Sequence, residues 1–342
     1  MRAYANLPVE ASCPICNENS ARMLWEVSSR DAAQHYVLKQ ADEARFDELV
    51  RAIESLWRKS DCRVVRCDNC DFVYSDPYVA GDGNFYGLAY QRAGYPKWKW
   101  EYQITHDVLK GVNPGFKYLE IGAGDGAFVS GIVPALTAAE NAYCTEFSDY
   151  GRERIRGLGV RSEALDIRDV NPTEFQGCFD VVCMFQVLEH LDGLDHLFNH
   201  LRCLTSDSAH IFIAVPNPDR IEYNELHGAM WDMPPNHIGR YRKTTFEALC
   251  RRWGWELVEH KLEQNSFMAT AKSFVLYRFL KNAQRANSLE NRIMRIRHAR
   301  MRKALQFAGV VLNIPGAMPG VAGMSEHHRG MSQWVHLRKI GQ

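Results

Sequence analysis

The sequence predicts an α/β fold in which parallel strands alternate with helices. The first indication is a buried-strand pattern at 118–121 that leads directly into the three closely spaced glycines of 122–126. The second is an apolar, helix-like segment at 127–139, followed by another strand that ends at Glu146. The third is the continued alternation of strand-like and helix-like periods after that point, which is the pattern of a sheet with helices on both faces.

Length and composition narrow the class of protein. The 342 residues allow one large domain and a smaller one, and a formal net charge of zero argues against a DNA partner or any dominant nucleic-acid surface. The first ten residues lack the apolar core of a secretion signal. The uncharged segment 304–325 is interrupted by Pro315 and Pro319, so we expect no transmembrane segment and a cytoplasmic location. The ten cysteines should then be free thiols or metal ligands.

Two Cys-x-x-Cys pairs near the start predict a zinc ribbon. Cys13, Cys16, Cys67 and Cys70 can supply four thiolates to one tetrahedral zinc, which would be structural because its ligand shell is closed. The pairs are 50 residues apart, and helically spaced apolar residues within 31–60 predict a helical insertion between them. Four reduced thiols are the main alternative. A redox pair is disfavoured because neither motif opens a helix after a strand.

The order of these features predicts three parts. Residues 1–80 form the zinc-ribbon domain with its helical insertion, 81–116 form a linker or lid with a leading helix, and 117–342 form the ligand-binding domain. The aromatic linker can equally be a packed connector. Within 278–303 there are nine Lys or Arg residues and one acid, which predicts a basic helical excursion at about 273–312. We expect its apolar stripe to pack on the domain or a partner, with a role at a membrane surface or an anionic substrate as the alternative.

The glycine turn predicts a nucleoside site. Glycines at 122–126 let the backbone bend tightly and approach a ligand, and Glu146 is placed to accept hydrogen bonds from two ribose hydroxyls. Glu120 and Asp125 add negative charge, which opposes a pyrophosphate and favours a cation. S-adenosylmethionine carries a sulfonium, an ammonium and a ribose and therefore fits. The alternative is an ordinary strand-to-helix turn without a ligand.

An ordered set of segments resembles the class I S-adenosylmethionine-dependent methyltransferases. The set consists of YLEIGAGDG at 118–126, Glu146, FDVVCMFQVLEH at 179–190 and IAVPN at 213–217. The resemblance covers about 102–338 and implies a Rossmann-like seven-stranded sheet with helices on both faces. The segment RCDNCDFVYSDP at 66–77 resembles a subgroup with an N-terminal zinc-binding domain, which includes sugar C-methyltransferases.

The resemblance also implies a set of donor-binding residues. They are Glu120, Gly122, Gly124, Gly126, Glu146, Asp166, Ile167, Phe185 and Gln186. In this set Glu120 helps hold the methionine amino end and Glu146 binds the ribose. Asp166 accepts from the adenine amino group with Ile167 stacked nearby; a helix N-cap is its alternative role. The last two residues end the strand that faces the sulfonium.

Two histidines are candidate general bases. Methyl transfer is an in-line displacement, so the protein mainly positions a nucleophile and removes its proton when the acceptor is a hydroxyl, amine or carbon acid. His237 lies in an acceptor-side loop and has a side chain suited to base catalysis near neutral pH, so it ranks first. His190 ranks second. The alternative role for His237 is a loop histidine that orders its neighbours, and for His190 it is support of other site residues.

A metal site is the alternative use of the same histidines. The segment Gln186–His190 resembles a Glu-x-x-Glu-His arrangement that holds a divalent cation in some small-molecule and RNA-end methyltransferases. Glu189, His190 and His237 would then give a nitrogen and oxygen ligand set. The sequence departs from that pattern at its first position, where Gln186 replaces the acid.

Polar residues before and after His237 are candidates for the acceptor pocket. The expected lining residues are Glu222, Tyr223, Glu225 and His227. Arg240 and Arg242 are candidates for binding an acceptor phosphate through paired hydrogen bonds, with plain surface charge as the alternative.

These features favour a methyltransferase acting on a small molecule: a sugar, a nucleotide-sugar or a glycan or natural-product pathway intermediate. An RNA methyltransferase is a second possibility because zinc ribbons also serve RNA, but the zero net charge counts against it. A non-catalytic ligand-binding or scaffold protein is the third. The intact acids Glu120, Glu146 and Asp166 argue for donor binding.

Overall fold

A computed structural model describes residues 6–39, 41–90, 98–227, 232–283 and 285–341. The strands are β1 Leu7–Glu10, β2 Ser20–Ser28, β3 Asp61–Cys67, β4 Val73–Asp76, β5 Tyr118–Ile121, β6 Ala142–Thr145, β7 Arg161–Glu163, β8 Phe179–Phe185, β9 Thr205–Pro216, β10 Gly239–Arg240, β11 Trp255–Leu262 and β12 Ser332–Lys339. The α-helices are α1 Ser29–Tyr36, α2 Glu43–Trp57, α3 Gly83–Ala89, α4 Trp100–Leu109, α5 Val129–Ile132, α6 Asp149–Arg156, α7 Pro172–Phe175, α8 Leu194–Leu204, α9 Pro218–Leu226, α10 Lys243–Trp253, α11 Phe267–Ala283, α12 Leu289–Met294, α13 Ala299–Leu312 and α14 Ile314–Ala322.

The larger sheet has seven strands in the order β11-β12-β9-β8-β5-β6-β7. Strands β5 to β9 pair in parallel, and β12 inserts antiparallel between β9 and β11. The predicted α/β fold with a seven-stranded sheet is confirmed, and the antiparallel β12 makes the sheet mixed. The order reverses at β5, so the carboxyl ends of β5, β6 and β8 form the edge where a ligand binds in an open α/β sheet.

Both faces of this sheet are buried. Along β8 the side chains alternate: Val182 and Met184 belong to one apolar cluster, while Val181, Cys183 and Phe185 belong to the other. This alternation follows from the two-residue period of a strand, and coverage of both faces is typical of parallel sheets. The apolar runs that predicted the central strands therefore report burial on two sides.

One predicted helix is wrong in length. The apolar segment 127–139 contains only α5, and the chain after it runs through turns to Ala138. Pro134 explains the difference, because proline disfavours helical backbone in the residue before it and provides no amide hydrogen. The segment is still apolar because Phe128, Val129 and Ile132 pack in the core. The helical excursion is also longer than expected, since α11 to α14 span 267–322.

The N-terminal part forms a second, antiparallel sheet in the order β1-β2-β3-β4-β10. Helices α1 and α2 lie in the predicted helical insertion between β2 and β3. Strand β10 comes from a distant part of the sequence: Gly239 pairs with Tyr74 and Arg240 with Val73. The loop that carries His237 is therefore attached directly to the N-terminal sheet.

The C-terminal excursion exposes much of its apolar surface. Large exposed side chains include Met301, Leu305, Phe307, Val311 and Leu312 of α13. In the described part of the chain, no single helix has the length and apolar character to cross a membrane. Helices α13 and α14 reach those criteria only together, across a 52° bend.

Candidate functional site

The glycine turn after β5 adopts backbone angles that favour glycine. Gly122, Gly124 and Gly126 have φ of 67°, 59° and 77°. A Cβ on Gly122 would lie 2.7 Å from Cγ2 of Val187, so a side chain there would clash as well as strain the backbone. The turn thus brings bare backbone to the ligand-binding edge of the sheet.

Glu146 lies over this turn at the end of β6. Its Oε2 accepts from the Gly124 amide at 2.8 Å, and its Oε1 accepts from the Ser148 amide at 2.8 Å. Two backbone hydrogen bonds therefore orient the carboxylate toward the turn. Remaining lone pairs on each oxygen can still accept hydrogen bonds from vicinal hydroxyls.

A cavity of about 180 Å³, which we call the donor cavity, opens at this point. It is lined by Lys99, Tyr102, Gly122, Ala123, Gly124, Asp125, Glu146, Phe185 and Gln186. Gly122, Gly124, Glu146, Phe185 and Gln186 from the predicted donor set are thus brought together. The two acids on its wall suit a cation, as the sequence indicated.

The remaining predicted donor residues do not line this cavity. Glu120 is buried beneath it and accepts from the Tyr118 hydroxyl at 2.9 Å, and burial raises its pKa to about 8. Gly126 packs against Ile155 of α6. Ile167 is buried in the core.

Asp166 has the capping role that was its alternative. Its Oδ1 accepts from the Arg168 amide at 2.9 Å and caps the short 3₁₀ turn 167–169. Both of its oxygens also pair with the Arg168 guanidinium, at 2.8 and 2.6 Å. An adenine amino group would have to share this carboxylate with the arginine.

A second cavity of about 340 Å³ lies beside the first, and we call it the acceptor cavity. Its lining residues are Tyr90, Gln186, Pro216, Arg220, Ile221, Asn224, Asp232, Asn236, His237, Tyr277, Met331 and Ser332. Its volume is at the lower end of the range for small-molecule sites. Gln186 lines both cavities, so they meet at the end of β8.

Gln186 is held in an unusual conformation at this junction. Its φ is +60°, which is rare for a residue with a Cβ and concentrates at functional sites. Its amide nitrogen donates to Oε1 of Glu101 at 3.3 Å and to Oγ of Ser332 at 3.2 Å. The contacts keep this side chain between the two cavities.

His237 faces the acceptor cavity and is oriented by Asp232. Its Nδ1 lies 2.6 Å from Oδ1 of Asp232, so Nδ1–H donates to the carboxylate and Nε2 remains available to take a proton. Burial acts to lower the pKa of His237, but the Asp232 hydrogen bond and charge outweigh it and raise the pKa above its usual value. This pair has the geometry of a base with its orienting acid.

His190 and Glu189 lie next to His237. The His190 and His237 rings are 4.7 Å apart, and His190 Nδ1 contacts the Asn236 carbonyl at 2.7 Å. Burial lowers the pKa of His190 to about 3 and raises that of Glu189 to about 7. Neither oxygen of Glu189 has a hydrogen-bond partner among the described residues. Because its pKa is so low, His190 is neutral but a poor proton acceptor at neutral pH.

The same three residues also satisfy a requirement for metal binding. One ligand atom from each of Glu189, His190 and His237 lies within 4.8 Å of the others. The Nδ1 atoms of both histidines face oxygen acceptors, which leaves both Nε2 atoms free to ligate. The metal alternative thus stays open beside the general-base role.

The acceptor cavity is lined by a different face of α9 than expected. Arg220, Ile221 and Asn224 face it, following the helical period, and the predicted residues Glu222, Tyr223, Glu225 and His227 do not. Glu222 pairs with Arg66 and Arg242, and Glu225 pairs with Arg240 at 2.6 Å. Arg240 and Arg242, the candidates for phosphate, are therefore neutralised by carboxylates.

The sequence reasoning missed several lining residues because they come from distant segments. Lys99 and Tyr102 reach the donor cavity from the beginning of α4. Asp232, Arg220 and Tyr277 reach the acceptor cavity from three separate segments. Of these residues, only Asp232 could have been found from the sequence, because it is an acid five positions before the predicted base His237.

The four N-terminal cysteines converge. Cys13 and Cys70 Sγ atoms are 3.6 Å apart, and those of Cys16 and Cys67 are 3.5 Å apart. A tetrahedral zinc with Zn–S near 2.3 Å requires sulfurs separated by about 3.8 Å, whereas a disulfide requires about 2.05 Å. All four ligand atoms lie within 4.8 Å of one another, so this donor set fits zinc.

Comparison with known proteins agrees with this architecture. Residues 91–260 match the family model described as a methyltransferase domain. Curated proteins gave no significant match. Similar solved structures include a SAM-dependent methyltransferase from Archaeoglobus fulgidus, with 16% identity, a TM-score of 0.43, and coverage of 70% of this chain and 94% of that one.

Two further structures are similar at the same level. Geranyl diphosphate C-methyltransferase from Streptomyces coelicolor has 14% identity, a TM-score of 0.41, and coverage of 70% and 78%. A phosphoethanolamine N-methyltransferase from Haemonchus contortus has 12% identity, a TM-score of 0.42, and coverage of 92% of this chain and 61% of that one. The family match covers residues 91–260, just under half of the 342 residues, and identifies this part of the chain as a methyltransferase domain.

Proposed function

We propose that the protein transfers a methyl group from S-adenosylmethionine to a small molecule in the acceptor cavity. The main observation that supports this proposal is that the donor and acceptor cavities meet at Gln186. The sequence resemblance supports a sugar, a nucleotide-sugar or a glycan or natural-product intermediate as the acceptor. The converging cysteines support a structural zinc in the N-terminal sheet.

The chain's residues divide the work between positioning and proton removal. S-adenosylmethionine supplies a methyl group on a positively charged sulfur, which leaves as a neutral thioether. Glu146 orients the ribose, and the ends of β5 and β8 place the sulfonium near Gln186. His237 Nε2 takes the proton from the acceptor nucleophile, while Asp232 holds Nδ1–H and stabilises the charged imidazole.

Two other functions are less well supported. RNA binding would need a positively charged surface near the acceptor cavity, yet Arg66, Arg240 and Arg242 are paired with carboxylates. A scaffold without catalysis would have no need for an Asp232–His237 pair beside a donor cavity. Neither alternative accounts for the meeting of the two cavities.

Donor binding tests this proposal directly. Calorimetry should show binding of S-adenosylhomocysteine, the demethylated donor, to the wild type. Glu146→Ala should weaken it by roughly 10- to 100-fold, because hydrogen bonds to a charged group contribute about 1.5–3 kcal/mol each. The substitution also removes the acceptor of the Gly124 amide.

A matched acid on the neighbouring helix provides the control. Glu153 is exposed on α6 and does not line the donor cavity, so Glu153→Ala should leave the affinity unchanged. Absence of S-adenosylhomocysteine binding in the wild type would reject the proposed function. Where binding is present, a methyl-transfer screen over nucleotide-sugars and related glycan intermediates identifies the acceptor.

A further inference from the structure

Arg220 is a buried cation in the wall of the acceptor cavity. It is 1% exposed on α9 and lines the cavity together with Asn224 and Tyr277. Its Nε donates to Oδ1 of Asn224 at 2.8 Å, and its Nη1 donates to the His328 carbonyl at 2.9 Å. All of these partners are neutral. Its Nη2 has no hydrogen-bond partner among the described residues.

Neighbouring arginines show what Arg220 lacks. Arg240 pairs with Glu225, and Arg242 pairs with Asp219 and Glu222. Arg220 takes part in none of the ion pairs formed within 4.0 Å among the described residues. A buried guanidinium is stable only with compensation, since removing it from water is costly.

Local groups offset this charge only in part. The Phe274 ring centroid lies 5.0 Å from the guanidinium carbon, and the Tyr277 hydroxyl and the Glu263 carboxylate favour the charged form. Asp232 lies on the same cavity wall, but its carboxylate is engaged by His237. Burial accordingly lowers the pKa of Arg220 from its usual value.

We propose that the acceptor carries an anionic group, a phosphate or a carboxylate, that pairs with Arg220 in the acceptor cavity. This inference rests on the proposed function and deepens it. A guanidinium offers two parallel donors that match either anion, and Asn224 and Tyr277 supply neutral polar contacts beside it. The anion would anchor one end of the acceptor, with the reacting atom toward His237 and Gln186.

The test measures anion binding to protein saturated with S-adenosylhomocysteine. Inorganic phosphate and malonate serve as the phosphate and carboxylate probes in separate titrations. At least one should bind the wild type, and Arg220→Gln should weaken that binding by roughly 10- to 100-fold, as loss of a charged hydrogen-bonding partner predicts. Arg220→Lys, which keeps the charge, should restore part of the affinity.

Arg242→Gln is the matched control, because Arg242 lies near α9 but outside the acceptor cavity and should not affect anion binding. Phosphate without malonate binding identifies a phosphate-bearing acceptor, and the reverse identifies a carboxylate. Wild-type protein that binds neither anion overturns the inference, whether or not Arg220→Gln folds. Equal affinity in wild type and Arg220→Gln does the same. If the wild type failed to bind S-adenosylhomocysteine, that result would contradict the proposed function and not the role of Arg220.

A second, independent observation concerns the exposed face of α13. Met301, Leu305 and Leu312 recur at helical spacing and are 51%, 40% and 68% exposed. Phe307 and Val311, which are 74% and 45% exposed, widen this face to an arc of roughly 160° around the helix. The less exposed residues Arg302, Gln306, Gly309 and Val310 lie on the other side of the helix. The helix therefore directs its apolar side to solvent, which soluble surfaces avoid.

Charge indicates which partner would cover this face. No Asp or Glu occurs from Asn291 to Ser325, whereas six Arg or Lys residues lie between 292 and 303. An apolar face beside basic residues is the pattern of helices that lie in the interface of an anionic bilayer. We infer that α13 docks the protein on an anionic lipid surface.

Vesicle sedimentation tests this inference with full-length protein. The wild type should bind vesicles of phosphatidylcholine with phosphatidylglycerol, and bind phosphatidylcholine alone at least several-fold less. Phe307→Glu with Leu312→Glu should abolish the binding. Ile340→Glu, at an exposed apolar residue elsewhere, should not. Absence of lipid binding, or a wild-type dimer that the double variant converts to a monomer, would show that the face has another role.

Discussion

Replacement of His237 by glutamine should lower kcat by roughly 10²- to 10⁴-fold, the range that a general base contributes. The affinity for S-adenosylhomocysteine should stay within about twofold of wild type, because His237 lines the acceptor cavity and not the donor cavity. Steady-state assays with the acceptor identified by the screen would measure kcat, and calorimetry would measure the affinity for S-adenosylhomocysteine.

The pH dependence separates a base from a residue that merely orders the loop. His237 must be neutral to accept a proton, and Asp232 raises its pKa above the usual value. Activity should therefore fall as pH decreases through a value above about 6.5. Asp232→Asn removes the charge that favours imidazolium, so the acidic limb of the kcat/KM profile should move to lower pH.

Another histidine near α9 provides the control. His227 has Nδ1 2.8 Å from the Tyr223 carbonyl and does not line the acceptor cavity, so His227→Gln should retain activity. Full turnover in His237→Gln would refute its assignment as the base. Loss of activity with an unshifted pH profile in Asp232→Asn would indicate a structural role for the pair.

The strands and the donor turn could be predicted because their signals are local. Tyr118, Leu119 and Ile121 are apolar because both sheet faces are covered, and the glycines that follow have positive φ, a local property of the turn. Glu146 ends the next strand, and parallel strands bring their carboxyl ends to one edge. The order of the strands along the sequence therefore suffices to place these residues at the same edge of the sheet.

The acceptor side could not be predicted in the same way. Which face of α9 meets the cavity depends on how the helix packs, and the cavity is lined by Arg220 and Ile221 where Glu222 and Tyr223, two positions later, were predicted. Whether an arginine is free depends on carboxylates distant in sequence, as the pairing of Arg66 with Glu222 shows. Such information is tertiary, so composition and spacing do not contain it.

Removal of two cysteines should abolish zinc binding and disrupt the N-terminal sheet. Wild-type protein should hold about one zinc per chain, and Cys67→Ser with Cys70→Ser should hold none. Cys67 ends β3 and Cys70 lies just before β4, so loss of the ion frees the connection between two paired strands. Metal analysis, thermal unfolding and limited proteolysis would follow these changes.

A buried cysteine outside the cluster is the control for this pair. Cys250 is buried in α10 and does not belong to the four-cysteine group, so Cys250→Ser should keep the zinc. Wild-type protein without metal would show that the four cysteines are reduced thiols. A second metal ion, lost in Glu189→Ala while the zinc remains, would support the metal alternative at Glu189, His190 and His237.

Loss of zinc should also reduce catalysis without preventing donor binding. The Cys70 carbonyl accepts from the Thr245 hydroxyl at 2.9 Å, and Arg252 donates to the Pro14 and Ile15 carbonyls at 3.1 and 2.9 Å, which ties the cysteine loops to α10. Strand β10 pairs with β4 two residues after His237. Disorder in the N-terminal sheet should therefore displace the loop with Asp232 and His237 and lower kcat/KM. The affinity for S-adenosylhomocysteine should not change, because the lining of the donor cavity comes from α4, β6, β8 and the glycine turn.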